Sequence, residues 1–139
     1  MLLILECSRN VTLLHKTWVD DYYKAKLKIR KNTLNGKTLG LIGCGNIGSR
    51  LAVRALAMEM NVLAYDPYKP AAGFPVGVEG VRDLDRIFKE SDYVSLHTPN
   101  TPVTKNLVDK NRLAMMKPTA FLINTARGGC VVEEDLYEA

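Results

Sequence analysis

An α/β fold, built as a doubly wound parallel sheet with helices on both faces in three layers, is the class this sequence predicts. Three observations carry it. Short apolar runs bounded by Gly, Pro, Asn and Asp alternate with Ala- and Leu-rich stretches of helical period, the order that gives a parallel sheet with right-handed crossovers. A glycine-rich turn, Gly43 to Gly48, joins one such run to a helix. The 139 residues are one domain's worth, 47% hydrophobic and 24% charged, a balance that supports a packed core rather than a disordered chain.

Each element has its own signal. Ile4, Cys7, Val11, Leu14 and Trp18 recur every three or four residues and predict one helix with an apolar stripe, starting in mid-pattern without an N-cap. Over residues 20–37 the period becomes two: Lys24, Lys26, Lys28 and Arg30 alternate with Ala25, Leu27 and Ile29 as an extended basic ribbon. Thr38 to Ile42 reads as a buried strand, Ile47 to Met60 as a helix, and Val62 to Tyr65 as a second strand stopped by Asp66-Pro67. The Pro- and Gly-rich stretch 67–80 reads as loop with one short strand near Val76 to Val78. Asp83 to Glu90 is a short helix, Tyr93 to Leu96 a strand, Lys110 to Met116 a helix and Ala120 to Ile123 a strand. Arg127-Gly128-Gly129 turns the chain into a helix from Glu133.

Several classes are excluded. No apolar run approaches the roughly 20 residues of a membrane span. Met1 to Leu5 is broken by Glu6 and has no basic leader, unlike a signal peptide. Cys7, Cys44 and Cys130 are far apart and odd in number, so neither a disulfide framework nor a metal site is expected, and a reducing, cytoplasmic setting is. The net charge of +4 is mild. Only Tyr22 and Tyr23 beside the basic ribbon offer stacking, and no nucleic-acid motif follows, so the ribbon is read as a solvated edge or an arm on another subunit.

The chemistry concentrates at three strand ends. Gly43-Cys44-Gly45-Asn46-Ile47-Gly48 follows a strand, opens a helix and precedes a strand ending in Asp66. A G-x-G-x-x-G alone is weak, but this context is that of the Rossmann-type dinucleotide fingerprint. Gly43 permits the tight turn, Gly45 the approach of a pyrophosphate, and Gly48 the packing of helix on strand. The free N–H groups of Asn46 and Ile47 face the phosphates, helped by the helix dipole. Asp66 accepts from an adenosine ribose and repels a 2′-phosphate, which favours NAD over NADP. Lys69 softens that repulsion in principle but sits beyond Pro67. Arg127, just after a strand, offers a planar fork for a carboxylate or carbonyl oxygen, or a surface salt bridge. His97 has the intrinsic pKa of a general acid, yet loop closure by hydrogen bonding is the favoured reading.

Taken together, Leu34 to Gly48, Tyr65-Asp66-Pro67-Tyr68, Ser91 to Pro99, Met116-Lys117-Pro118 and Ile123 to Gly129 resemble the D-isomer-specific 2-hydroxyacid dehydrogenases over nearly the whole chain. Phosphoglycerate dehydrogenases are the nearest named group. The resemblance implies one NAD-binding domain over residues 1–139, with an N-terminal helix and arm at 1–37 that build a homodimer. It implies that Asn46 and Ile47 hold the pyrophosphate and Asp66 the ribose. Thr98 and Pro99 line the adenine side, and Thr104 lies near the cofactor. Thr125, Ala126 and Arg127 stand beside the nicotinamide, and Arg127 binds the substrate's carboxylate and oxo group and is catalytic.

The family's catalytic acid is a histidine backed by a glutamate or aspartate, both beyond Arg127 and outside this sequence; His97 does not match it. The family's first half-domain and last sheet strands are also missing, so the sheet is expected to be truncated at its C-terminal end. The chain alone is expected to bind NAD(H) with little or no turnover. The implied reaction moves a hydride between NAD(H) and C2 of a D-2-hydroxy acid or 2-oxo acid. Alternatives are a non-catalytic NAD(H)-sensing module like the C-terminal-binding-protein corepressors, or a glyoxylate or hydroxypyruvate reductase, a D-lactate dehydrogenase or a phosphite dehydrogenase.

Overall fold

A computed structural model describes residues 1–17 and 33–139 of the chain. Five strands form one sheet: β1 (Thr38–Ile42), β2 (Asn61–Tyr65), β3 (Val78–Val81), β4 (Tyr93–Leu96) and β5 (Phe121–Asn124). Their order is β3-β2-β1-β4-β5 and every pairing is parallel. Parallel neighbours require crossovers. Helices α2 (Asn46–Ala57), α3 (Leu84–Glu90) and α4 (Lys110–Met115) lie in three of these connections, while the β2–β3 link is loop with a single 3₁₀ turn. Helix α1 (Leu2–Arg9) precedes the sheet and α5 (Glu133–Glu138) follows it.

Strand period two sorts the core into two layers. Leu39, Leu41, Val62, Ala64 and Tyr93 point to the face covered by Ile4 of α1 and by Leu51, Ala52 and Ala55 of α2. Ile42, Leu63, Val94 and Leu96 point to the other face, where Ile87 and Phe88 of α3 cover them. The result is the expected three-layer α/β architecture.

The structure corrects four boundaries. The single helix expected over Ile4 to Trp18 is broken at Asn10, which is left-handed at φ 50° and ψ 45°; asparagine tolerates this conformation. The Asn10 N–H closes α1 on the Glu6 carbonyl at 2.7 Å, and the Glu6 side chain caps the next helical stretch, 11–17, through the Thr12 N–H at 2.9 Å. The apolar stripe fails with it: Ile4 is buried, but Val11 is 55% exposed. Trp18 and the basic ribbon through residue 32 lie outside the described residues. Helix α2 stops at Ala57 rather than Met60, because the Met58 and Met60 N–H groups both turn back to the Ala55 carbonyl. Strand β3 begins at Val78, after a turn in which the Val78 N–H reaches the Pro75 carbonyl at 3.0 Å. Strand β5 begins at Phe121, because the Ala120 N–H is engaged by Lys117.

Asp92 closes the floor of the sheet. Its backbone links Thr38 and Phe121, while its Oδ2 accepts the Thr38 N–H at 2.9 Å. Its Oδ1 faces Lys117 at 3.4 Å and Lys37 at 3.8 Å. The lysines are partly exposed and add little, whereas an unpartnered strand N–H is costly. Asp92→Ala is expected to lower stability by about 1–3 kcal/mol, read by denaturant unfolding, with cofactor affinity unchanged because the site lies at the opposite end of the strands.

Candidate functional site

The carboxyl ends of β1, β2 and β4 open into a cleft of about 410 Å³. It lies where the chain, having built β2 and β3 on one side of β1, returns to place β4 on the other. Ligands bind at such switch points in open α/β sheets.

The glycine turn forms one wall. Gly43 has φ +92°, and a Cβ there would stand 2.7 Å from the His97 carbonyl oxygen. A Cβ on Gly48 would collide with the Gly43 carbonyl, so that glycine lets α2 begin directly against the turn. Gly45 differs: a Cβ there meets nothing within 4 Å. It is the N-cap of α2, and the first helical bond runs from the Ser49 N–H to the Gly45 carbonyl at 2.9 Å. The N–H groups of Asn46, Ile47 and Gly48 therefore precede the ladder and carry the positive end of the dipole. Both Asn46 and Ile47 are exposed, Ile47 by 71%.

Asp66 closes the opposite wall at the end of β2. Its Oδ2 accepts the Cys44 N–H at 3.0 Å and its Oδ1 the Tyr68 N–H at 3.1 Å. These bonds fix a carboxylate beside the glycine turn before any ligand arrives. Lys69, set aside in the sequence reading because of Pro67, folds back under the turn. Its Nζ donates to the Cys44 carbonyl at 2.5 Å and to Ser49 Oγ at 3.1 Å. Pro67 and the following turn reverse the chain and so bring it there.

The third wall is the loop after β4. Thr98, Pro99 and Thr104 all line the cleft. Thr104 Oγ1 donates to the Pro99 carbonyl and accepts the Thr101 N–H at 2.8 Å, which makes the loop rigid. Leu84, Val103, Leu107 and Arg112 line it as well. Sequence reasoning missed them, since they belong to no motif: Leu84 comes from α3, Arg112 from α4, and Val103 and Leu107 from the loop between β4 and α4.

His97 takes the loop-closing role. Its N–H extends the β1–β4 ladder to the Ile42 carbonyl at 2.8 Å, and its Nε2 meets Ser95 Oγ at 3.0 Å. Burial pushes its pKa below the ordinary 6.5, reinforced by the positive amino terminus. The unfolded chain therefore takes up this proton first as pH falls, so stability is lost below about pH 6.5. The melting temperature is expected to drop between pH 7.5 and 5.5, and part of that drop should vanish in His97→Gln.

Thr125, Ala126 and Arg127 are not in the cleft lining. They stand at the next strand end, after β5, where Arg127 is exposed and its Nη1 donates to the Ala126 carbonyl at 2.8 Å. The turn that follows is tied to the β4 loop: Asn106 N–H donates to the Gly129 carbonyl, Val108 N–H to Cys130 and Val132 N–H to Val108, each at 2.9 Å. Among the described residues no group of three or more His, Cys, Asp or Glu is placed to hold a metal ion, and no helix is long and apolar enough to cross a membrane.

These walls fit a dinucleotide. The space over Gly45, the unpaired N–H groups at the start of α2, the fixed Asp66 carboxylate and the largely apolar wall beyond suit a pyrophosphate, a ribose and an adenine in that order.

Comparison with known proteins agrees. Residues 1–139 match the family described as D-isomer specific 2-hydroxyacid dehydrogenase, NAD binding domain. The chain is 46% identical over 136 residues to hydroxypyruvate reductase of Thermotoga maritima, covering 98% of this chain and 43% of that protein. It is 49% identical over 104 residues to D-3-phosphoglycerate dehydrogenase of a Synechocystis species, covering 74% and 19% respectively. D-lactate dehydrogenase from Aquifex aeolicus, solved with NAD and lactic acid, superposes with a TM-score of 0.90 at 38% identity, over 98% of this chain and 40% of that one. The chain thus spans less than half the length of these relatives. With the cleft, the glycine turn and the carboxylate in place, the chain belongs to the D-isomer-specific 2-hydroxyacid dehydrogenase family as its NAD-binding domain.

Proposed function

We propose that the protein carrying this chain is an NAD-dependent dehydrogenase of small 2-hydroxy and 2-oxo acids. The observation that supports this most is the adjacency of two strand ends: the dinucleotide cleft beyond β1 and β4, and a solvent-facing arginine beyond β5. Asn46 and Ile47 hold the pyrophosphate, Asp66 the ribose hydroxyls, and Thr98, Pro99 and Thr104 the adenine side. The bound dinucleotide supplies the hydride chemistry, and the protein supplies position and electrostatics. Arg127 grips the substrate carboxylate and polarises its oxo group, and a histidine–carboxylate pair exchanges the proton.

Relatives named for hydroxypyruvate, phosphoglycerate and D-lactate set the range of substrates. Phosphoglycerate is the first to test, the others being glyoxylate, hydroxypyruvate, D-lactate and phosphite. Residues 1–37 serve a homodimer, and a cytoplasmic setting suits the free thiols.

The test is turnover by the complete protein, read as NAD+ reduction with phosphoglycerate, D-lactate and phosphite and as NADH oxidation with glyoxylate, hydroxypyruvate and other 2-oxo acids. Turnover on at least one supports the proposal. NADH-dependent association without turnover on any of them would replace it with the corepressor-like reading.

A further inference from the structure

Asn124 is the last residue of β5 and is exposed. An exposed asparagine at a strand end is unremarkable until its partners are followed. Its Oδ1 accepts the Ala126 N–H at 3.0 Å, and its Nδ2 donates to the Arg127 carbonyl at 2.9 Å. One planar amide thus spans the 124–127 segment and bonds the backbone on both sides of the Ala126–Arg127 link. The Arg127 side chain has a single hydrogen bond, back to the Ala126 carbonyl. No carboxylate among the described residues lies within ion-pair distance of it. The guanidinium is free to turn toward a ligand, while its Cα is held fixed. Arg127 itself is extended, at φ −145° and ψ 140°, and its carbonyl takes one further, longer bond from the Cys130 N–H at 3.3 Å.

Resting on the reading of Arg127 as the substrate-gripping residue, we infer that Asn124 is its positioning residue. The amide locks the backbone of 125–127 to the rigid end of β5 and so aims the guanidinium at the substrate's carboxylate and oxo group. Catalytic groups tolerate little misplacement, and a short side chain that makes two bonds to the backbone is the local means of removing that freedom.

A double-mutant cycle in the complete NADH-loaded enzyme tests this, with Asn124→Ala, Arg127→Ala and the pair. Asn124→Ala is expected to lower kcat/KM for the 2-oxo acid by about 10- to 30-fold, the worth of two hydrogen bonds near 1 kcal/mol each. NADH affinity should stay within about threefold, because Asn124 lies outside the dinucleotide cleft. In the Arg127→Ala background the same substitution should cost nothing further, because a residue that acts only through another has no effect once that one is gone. Binding of an unreactive oxo-acid analogue to the enzyme–NADH complex should weaken in parallel, a readout that needs no turnover.

Equal costs in both backgrounds, an unchanged kcat/KM in Asn124→Ala, or an equal loss of NADH affinity would each overturn the role. If the alanine variant does not fold, Asn124→Asp and Asn124→Ser keep the acceptor for Ala126 and lose the Nδ2 donor. The same cycle with either must still be non-additive. An Arg127→Ala enzyme with normal kinetics would sink the underlying reading, and this inference with it.

Discussion

On the proposed reading, replacing Arg127 with alanine in the complete protein is expected to lower kcat/KM for the 2-oxo acid by about 10²- to 10³-fold, roughly 2.7–4 kcal/mol of transition-state stabilisation. A planar guanidinium can meet a carboxylate and an adjacent oxygen with two parallel donors. Lysine in its place should recover only part of the loss, because a point charge lacks the fork. NADH affinity should fall far less than kcat/KM, since Arg127 stands beyond β5 and does not line the cleft that suits the pyrophosphate, ribose and adenine. Steady-state kinetics on the oxo acid, paired with fluorescence titration of NADH, separate the two. An equal loss in both would mean that the residue serves the fold or the cofactor instead.

The glycine turn yields the second large effect, and it splits in two. Gly43→Ala should damage the protein itself. Its φ of +92° disfavours any side chain, and the new methyl would press on the His97 carbonyl at 2.7 Å. Strain of about 1–3 kcal/mol is expected, and both the melting temperature and NADH binding should fall. Gly45→Ala should spare the fold and damage binding alone. Its φ of −71° is open to alanine, and nothing lies within 4 Å of the new Cβ. Stability should hold within about 1 kcal/mol, the small cost of alanine at an N-cap. NADH affinity should fall about tenfold or more, or at least 1.4 kcal/mol, because the methyl occupies the space through which a pyrophosphate approaches. Thermal melts and calorimetric titration separate the two variants, since only Gly43→Ala should lose stability together with binding. A stable Gly45→Ala chain that binds NADH normally would remove that glycine from the phosphate site.

What could be read in the sequence follows from how local each signal is. Tyr93 to Leu96 is a strand in both views, because its four apolar or small residues are bounded by Asp92 and Pro99 and are buried on both faces. The glycine turn was legible because backbone sterics force glycine at Gly43 and Gly48 whatever the ligand. Asn10 was not legible as a break, since an apolar stripe at helical spacing runs straight through it and one left-handed residue leaves no periodic trace. Lys69 was discounted for lying beyond Pro67, but that proline and the turn after it bring the chain back under the glycines. The lining by Leu84 and Arg112 depends on how α3 and α4 pack, and that by Val103 and Leu107 on how the β4–α4 loop folds back, and no local pattern encodes either. Asn124 had a weak signal, an asparagine at a strand end before small residues, which is the usual start of an Asx turn.

The three bonds between 106–108 and 129–132 have a dynamic consequence. They surround Val108, Cys130 and Val131, all buried. Opening either loop exposes that cluster and frees the other, so the two should open as one cooperative unit, with the amides of Asn106, Val108 and Val132 exchanging hydrogen at a common slow rate. A lid-like swing of the arginine-bearing backbone is therefore costly. Motion at this strand end falls instead to the rotamers of the exposed Arg127 side chain, on the picosecond-to-nanosecond scale.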